Sequence, residues 1–245
     1  MRLSAEHPRD ALARDESLLG AVLADPKPMM RWYIADAPAL VVGLGLRHRA
    51  KEIIDFGRCR SVGLEVLERS AGGGLVLLDH NMLCCAICLP ALHPLVSSDL
   101  TESYRWLGDH FASRLQAIGV LSAQRVEVEA ARSDVRALRS SADPVNNALL
   151  ATCYGALSPH EVVADGHAKI VGLAQVRRKH AALFQVGILL RDQSPLSDFL
   201  RLPDEASRLA VRTALGHRTV GLQAVMQDVP DLEELALLFE PDQFT

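Results

Sequence analysis

Cysteine is scarce in this chain: there are five in 245 residues, an odd number. A disulfide framework pairs its cysteines and belongs to small secreted chains, so reduced thiols are expected, some of them serving as small core residues. An excess of charge of either sign is also lacking, because 26 Lys and Arg stand against 30 Asp and Glu, spread along the chain. That balance argues against a general nucleic-acid or membrane surface, and binding to either would need a local patch. No window reaches the roughly 18–20 uninterrupted apolar residues that span a bilayer. The opening MRLSAEHPRD is charged where a signal peptide has its apolar core, so a cytoplasmic location is expected. No linker composition and no internal repeat divide the chain. With 49% apolar residues it can bury a sizeable core, and a single domain over residues 1–245 is expected.

What is present predicts an α+β fold, a mixed β-sheet with packed helices. Over Pro8 to Ala24, residues Ala11, Leu12, Leu18, Leu19, Val22 and Leu23 fall largely on one helical face, with acidic residues near the start. Strands follow at Met30–Ile34 and Ala39–Gly43, joined by a turn through Asp36 and Pro38. RAKEIIDFGRCRSVG reads as a short helix closed near Gly57, and LEVLERSAGGGLVLLD as strand, glycine turn, strand. NMLCCAICLP is a buried strand. After it Ser97 or Ser98 caps a long helix with Leu100, Tyr104, Leu107, Phe111, Leu115 and Ile118 on its apolar face, ended by Gly119. Within the segment from about Glu127 to Asn147, RSDVRALRSSADPVNN is expected to be a polar excursion, a mobile loop near the site. Strands at Glu161–Ala164 and Lys169–Ala174 then flank an Asp165–Gly166 turn, and ALFQVGILL is another buried strand. Helices over Asp204–Leu215 and Asp231–Leu238 close the fold.

Four stretches carry candidate chemistry. In ERSAGGGLV, Gly72, Gly73 and Gly74 expose backbone N–H groups that a phosphate, carboxylate or thioester carbonyl can approach, with Arg69 beside them. The same glycines equally suit a hairpin turn that needs positive φ, and their spacing fits neither a dinucleotide fingerprint nor a phosphate-binding Walker loop. In CCAIC, Cys85 and Cys88 have metal-like spacing near His80 and His93, but they sit in an apolar strand with no second cysteine pair, so no metal is expected. Cys153 and Lys169 are separated by one strand and a tight turn, which allows them to meet. A thiolate is the reactive form of cysteine and a neighbouring ammonium stabilises it; a buried thiol and a solvated lysine are the alternative. Arg177, Arg178 and Lys179 form either a charge cluster that keeps an edge strand soluble or a docking patch for an acidic carrier.

Taken in order, RDESLLGAVL, MMRWYIADAPALVVGLGL, LERSAGGGLVLLD and DGHAKIVGLAQVRR resemble the catalytic domains of lipoate and biotin protein ligases. The likeness is greatest to the branch that transfers octanoyl or lipoyl groups through a cysteine. It covers a core of about residues 10–190, leaving about 195–240 as closing helices. The family pattern at the glycines is an Arg pair, two variable positions, a Gly-rich turn and a strand ending in His-Asp. Arg69 matches the second Arg, Glu68 replaces the first, and Asp79 matches the Asp. Leu78 stands where many ligases have His, as in some amidotransferases. The resemblance implies that Arg69, Gly72, Gly73, Gly74 and Val76 line an acyl pocket with Asp79 beside it. It also implies that Lys169 is the family's central lysine and that Gly172, Ala174 and Gln175 belong to a loop closing over the acyl group. TCYGALSPHEV resembles the cysteine segment of the transferases, with Cys153 as nucleophile.

The function so implied is transfer of an octanoyl or lipoyl group to the lysine of a lipoyl domain through an acyl-enzyme on Cys153. The implied donor is an acyl carrier protein or a lipoyl-domain protein, and no cofactor is needed. The alternative is ATP- and Mg-dependent lipoate ligation through lipoyl-adenylate. About fifty residues follow ILLRD, read as a few closing helices, so the accessory domain many ligases carry is not expected. A third reading is a non-catalytic protein that binds lipoyl carriers. Nucleic acid and membrane are not expected as partners.

Overall fold

The computed structural model describes residues 3–241. In chain order its strands are β1 (Ser4–Glu6), β2 (Met29–Ala35), β3 (Ala39–Val42), β4 (Glu65–Glu68), β5 (Leu75–Leu78), β6 (Met82–Pro90), β7 (Gln124–Arg125), β8 (Val162–Ala164), β9 (Ala168–Arg177) and β10 (Ala181–Leu189). The helices are α1 (Pro8–Ala24), α2 (Ala50–Ile53), α3 (Phe56–Ser61), α4 (Arg105–Ala117), α5 (Val128–Arg139), α6 (Pro144–Ala151), α7 (Glu205–Arg218), α8 (Leu222–Val225) and α9 (Leu232–Leu238).

Seven strands form one sheet in the order β1-β2-β6-β10-β9-β8-β7, and a smaller sheet runs β4-β3-β5. The long central strands β6, β9 and β10 are apolar on both faces, as strands covered on both sides must be. On one face Leu83, Cys85, Ile87 and Leu89 of β6 pack with Leu107, Phe111 and Leu115 of α4. On the other, Ala86 and Cys88 pack with Leu19 and Val22 of α1. The small sheet is covered by α6 and α7, and a third apolar cluster joins it to the large sheet through Val41, Val76 and Leu78 against Tyr33, Met82 and Cys84.

The α+β class and most elements match the expectation, with corrections that have identifiable physical reasons. β2 and β3 follow one another but lie in different sheets, since the three residues between Ala35 and Ala39 redirect the chain rather than closing a hairpin. β4 and β5 flank the glycine turn yet do not pair, because β3 inserts between them, parallel to β4 and antiparallel to β5. The hairpin alternative for that turn is thereby set aside. Gly57 lies inside α3, and Gly63, at φ 68°, follows it. The helix expected from Ser97 or Ser98 begins at Arg105 after a 3-10 turn; Asp99 caps that turn and Leu100 is exposed.

Residues 127–147 are not a loop but carry α5 and the start of α6. α5 buries Ala131 and Leu138 on one face, and its many charges lie on the solvated side, so polarity concealed an amphipathic helix. In α1 the buried stripe includes Asp15, whereas Leu23 is 61% exposed. Arg177, Arg178 and Lys179 lie at the end of β9 and in its turn to β10; β8 pairs with β9 only over Ala168–Val171, so at Arg177 the strand is paired on the β10 side alone. Arg177 donates hydrogen bonds to the Ser97 carbonyl at 3.0 Å and to the Ser103 hydroxyl.

Candidate functional site

Cys153 is delivered by the end of α6. Asp143 caps that helix by accepting from the Val145 N–H at 2.8 Å, and Pro144 suits its first turn. After Ala151 the chain becomes extended, Thr152 bridges Leu75, and the Cys153 N–H donates to the Leu75 carbonyl at 2.8 Å. This short ladder lays the cysteine against the glycine turn. Gly73 has φ 95°, and a Cβ there would stand 2.9 Å from Arg69 Nη2 and 3.4 Å from Cys153 Sγ. A Cβ on Gly74 would meet the Ala151 carbonyl oxygen at 2.5 Å. Gly74 is therefore required by close backbone approach to the cysteine segment and Gly73 by its positive φ, whereas a Cβ on Gly72 would meet nothing within 4 Å. Arg69 is held across the turn by donating to the Gly72 carbonyl at 3.0 Å, and its Nη2 lies 3.8 Å from Cys153 Sγ. Its buried Nε has no hydrogen-bond partner among the described residues.

Lys169 is fully buried, and its ammonium points at carbonyl oxygens rather than at the thiol. Nζ donates to Cys153 O at 2.7 Å and Ala156 O at 2.5 Å, and it pairs with Glu161 Oε2 at 2.5 Å. Glu161 also accepts from the Ser158 N–H at 2.7 Å. Burial raises the Glu161 carboxyl above its ordinary range, opposed by the charge and hydrogen bond of Lys169. The expected encounter of Cys153 with Lys169 thus occurs through the main chain, and the cation beside the sulfur is Arg69. Glu161 was missed as the lysine's partner, although the Asp165–Gly166 turn, with φ 46° and 89°, signals the hairpin that brings the two together.

Cys153 stands at one wall of a narrow cavity of about 40 Å³ between the two sheets. Leu12, Val41, Val76, Leu78, Met82 and Cys84 give it apolar walls, with Arg69 also on its lining. Tyr154 lies across the β9–β10 pair, where Gly172 and Gly187 face each other in register. Its hydroxyl donates to Gly187 O at 2.8 Å, and a Cβ on Gly172 would stand 2.7 Å from the ring. Gly172 and Ala174 line the cavity from strand β9, not from a closing loop. Gln175, on the same strand, donates to Leu100 O at 2.7 Å and does not line the cavity. Asp79 also lies outside that lining, and its carboxylate holds the turn into β6 through the Asn81 backbone and side-chain N–H groups at 2.7 and 3.0 Å. A wider groove of about 310 Å³ meets Cys153 from the other side, along Gly73, Gly74, Arg139 and Ser158.

A polar network missed by sequence reasoning borders the cavity. Asp15 is fully buried; its carboxylate accepts from Tyr33 Oη at 3.0 Å, from Gln185 Nε2 at 2.8 Å and from Arg31, which also pairs with Glu6 at 2.5 Å. Burial raises the Asp15 carboxyl, and Arg31 opposes that shift. One acidic residue on an apolar helical stripe gives no periodic signal, which is why it went unread.

The other four cysteines are buried, and burial pushes their thiols up, that of Cys88 to about 12. Cys85 and Cys88 belong to opposite faces of β6, so the metal-like spacing does not converge. Among the described residues no group of three His, Cys, Asp or Glu is placed to hold a metal, and no helix is long and apolar enough to cross a membrane.

Comparison with known proteins gives the same family as the motifs. An octanoyltransferase LipM from an Exiguobacterium species is 28% identical over 242 residues, covering 98% of this chain and 83% of its own length. An octanoyltransferase LipM from Carboxydothermus hydrogenoformans is 30% identical over 212 residues, 86% of this chain and 71% of its own. Among solved structures, a bipartite lipoate protein ligase from Thermoplasma acidophilum superposes with a TM-score of 0.73 at 22% identity, over 97% of this chain and 80% of that one. A lipoate-protein ligase A bound with ATP gives 0.67 at 22%, over 96% and 81%. These structures share the fold. Residues 7–240 match the family described as the lipoyl protein ligase A/B catalytic domain, and the chain belongs to that family.

Proposed function

We propose that the protein is an acyltransferase that moves an octanoyl or lipoyl group from a thioester donor to the lysine of a lipoyl domain, with Cys153 as the covalent carrier. One observation carries this reading: the partly exposed thiol sits at an apolar slot beside Arg69, whose buried Nε lacks an acceptor. The relatives named octanoyltransferase support it.

In the first step the Cys153 thiolate attacks the thioester carbonyl, and a new C–S bond forms as the carbonyl oxygen takes up negative charge. Arg69 stabilises both the thiolate and that oxyanion through the end of its guanidinium, whose Nη2 lies 3.8 Å from the sulfur. Collapse expels the donor thiolate, which takes up a proton, and leaves the acyl group on Cys153. The neutral amine of the acceptor lysine then attacks the acyl carbon, an amide forms, and Cys153 leaves as thiolate while the ammonium proton passes to solvent. Lys169 and Glu161 act by fixing the backbone that presents the sulfur.

The acyl tail occupies the slot between the sheets. As it stands, that space is only about 40 Å³, so a medium-length tail must move side chains aside. Met82, unbranched and flexible, is suited to yield. Transfer by this route needs no cofactor, and its partners are an acylated carrier as donor and a lipoyl domain as acceptor. We further propose that residues 1–245 act as one domain.

The experiment is to incubate the protein with octanoyl-carrier thioester and measure intact mass. An octanoyl adduct on wild type, absent in Cys153→Ala, together with octanoylated lipoyl domain as product, is the expected result. Pyrophosphate release from ATP and free lipoate by a fully active Cys153→Ala variant would replace this reading with ligation through lipoyl-adenylate. Tight carrier binding without turnover would replace it with a binding role.

A further inference from the structure

The loop that carries the sulfur, residues 153–158, is gripped at one more place than Lys169 and Glu161 explain. Arg218, the last residue of α7, donates through Nε to the carbonyl oxygen of Gly155 and through Nη2 to Asp134 of α5. The second oxygen of Asp134 accepts from the Leu157 N–H at 2.8 Å. The pair therefore holds a carbonyl and an N–H of the same loop from two helices, of which α5 also borders the wider groove through Arg139. Both side chains are largely shielded, at 26% and 17% exposure, which limits screening of their charges by solvent. Next to Arg218, Thr219 bridges Lys169 and the Val220 N–H donates to Lys169 O at 3.0 Å. The two cations thus grip the loop from one shared backbone position. Gly155 fits only because it lacks a side chain: a Cβ would stand 2.2 Å from Thr152 Oγ1 and 2.3 Å from Leu149 O.

We infer that Asp134 and Arg218 are positioning residues for the Cys153 nucleophile: together they fix the 153–158 loop so that the sulfur stays beside Arg69 at the mouth of the slot. This rests on Cys153 being the acyl carrier. Neither residue touches the sulfur, so their effect on the reaction passes through loop geometry. The helix that supplies Asp134 is α5, so the polar segment 128–139 takes part in the site as a rigid strut.

The test compares wild type with Asp134→Ala, Asp134→Asn and Arg218→Met, and with Arg212→Ala as a control that breaks the remote Arg212–Asp198 pair. Hydrogen exchange of the 153–158 segment is expected to accelerate about tenfold in Asp134→Ala and Arg218→Met, local opening being the route to exchange. Single-turnover acylation by the octanoyl donor is expected to slow roughly 10- to 100-fold in those variants with the half-saturating donor concentration unchanged, as misplacement of a nucleophile does. Asp134→Asn keeps an acceptor for Leu157 and is expected to fall between them and wild type. Unchanged exchange would overturn the inference, and so would faster exchange with full acylation rate or a change in half-saturation alone. If wild type itself forms no acyl adduct, the transferase reading fails, and the exchange comparison still decides whether the pair holds the loop.

Discussion

The ammonium of Lys169 lies 2.7 Å from the carbonyl oxygen of Cys153, so the lysine grips the main chain of the cysteine rather than its sulfur. In the proposed reaction, electrostatic support for the thiolate falls to Arg69, and Lys169 acts by holding the backbone. The two roles separate experimentally.

Lys169→Met leaves Glu161 without its partner in the interior, and removing one partner of a buried pair costs about 3–5 kcal/mol where the carboxyl is ionised. Burial already raises the Glu161 carboxyl above its ordinary 4.5, and loss of the ammonium raises it further. A raised carboxyl holds its proton more readily in the folded state, so the variant loses stability as pH rises from about 4.5. Urea unfolding across pH should show a deficit smallest in acid and growing toward neutrality; a deficit independent of pH would contradict the pairing.

Arg69→Gln keeps hydrogen bonding to the glycine turn but removes the charge beside the sulfur. Acyl-enzyme formation should fall roughly 10²-fold, the usual loss when one oxyanion donor is removed. Thermal stability should change little, since Arg69 is partly exposed and makes no carboxylate pair among the described residues. Stopped-flow or quench measurement of the acylation burst reads this directly.

Gly73→Ala places a methyl 2.9 Å from Arg69 Nη2 in a backbone conformation with φ 95°. The left-handed backbone costs about 1–3 kcal/mol, and the methyl pushes Arg69 from the sulfur. Gly63→Ala also carries positive φ but meets nothing within 4 Å, so it should lose stability without losing transfer. Equal activity loss in both would show that the turn matters only for folding.

Asp15→Ala strips Arg31, Tyr33 and Gln185 of a shared acceptor. The expected cost is about 3–5 kcal/mol, the loss typical of breaking a buried charge pair. Because Tyr33 and Gln185 line the slot, acyl-chain preference should change as well. Competition between hexanoyl, octanoyl and decanoyl donors measures that change.

Local signals in the chain were sufficient for the α+β class, for α1 from Pro8 to Ala24, for buried β6, and for the β8–β9 hairpin with its Asp165–Gly166 turn, because apolar periodicity and turn chemistry act over a few residues. The candidate site was legible as ingredients: Arg69, three glycines, Cys153 and Lys169. Sequence gave no means to order them, since which cation meets the sulfur depends on register. Arg69 and Cys153 lie 84 positions apart and meet only because Leu75 pairs with Thr152. Glu161, Asp15 and the Asp134–Arg218 pair stayed hidden because a buried charge is tolerated only once its partner is in place, and that partner comes from a distant element. Residues 132–147 read as a loop for the same reason: their polarity describes the solvated face, and only packing against α6 and the cysteine loop reveals the other. Composition and short-range pattern thus determined the elements and the reagents, while tertiary structure decided which charge faces which atom, because Coulomb and hydrogen-bond energies depend on distances that no spacing along the chain specifies.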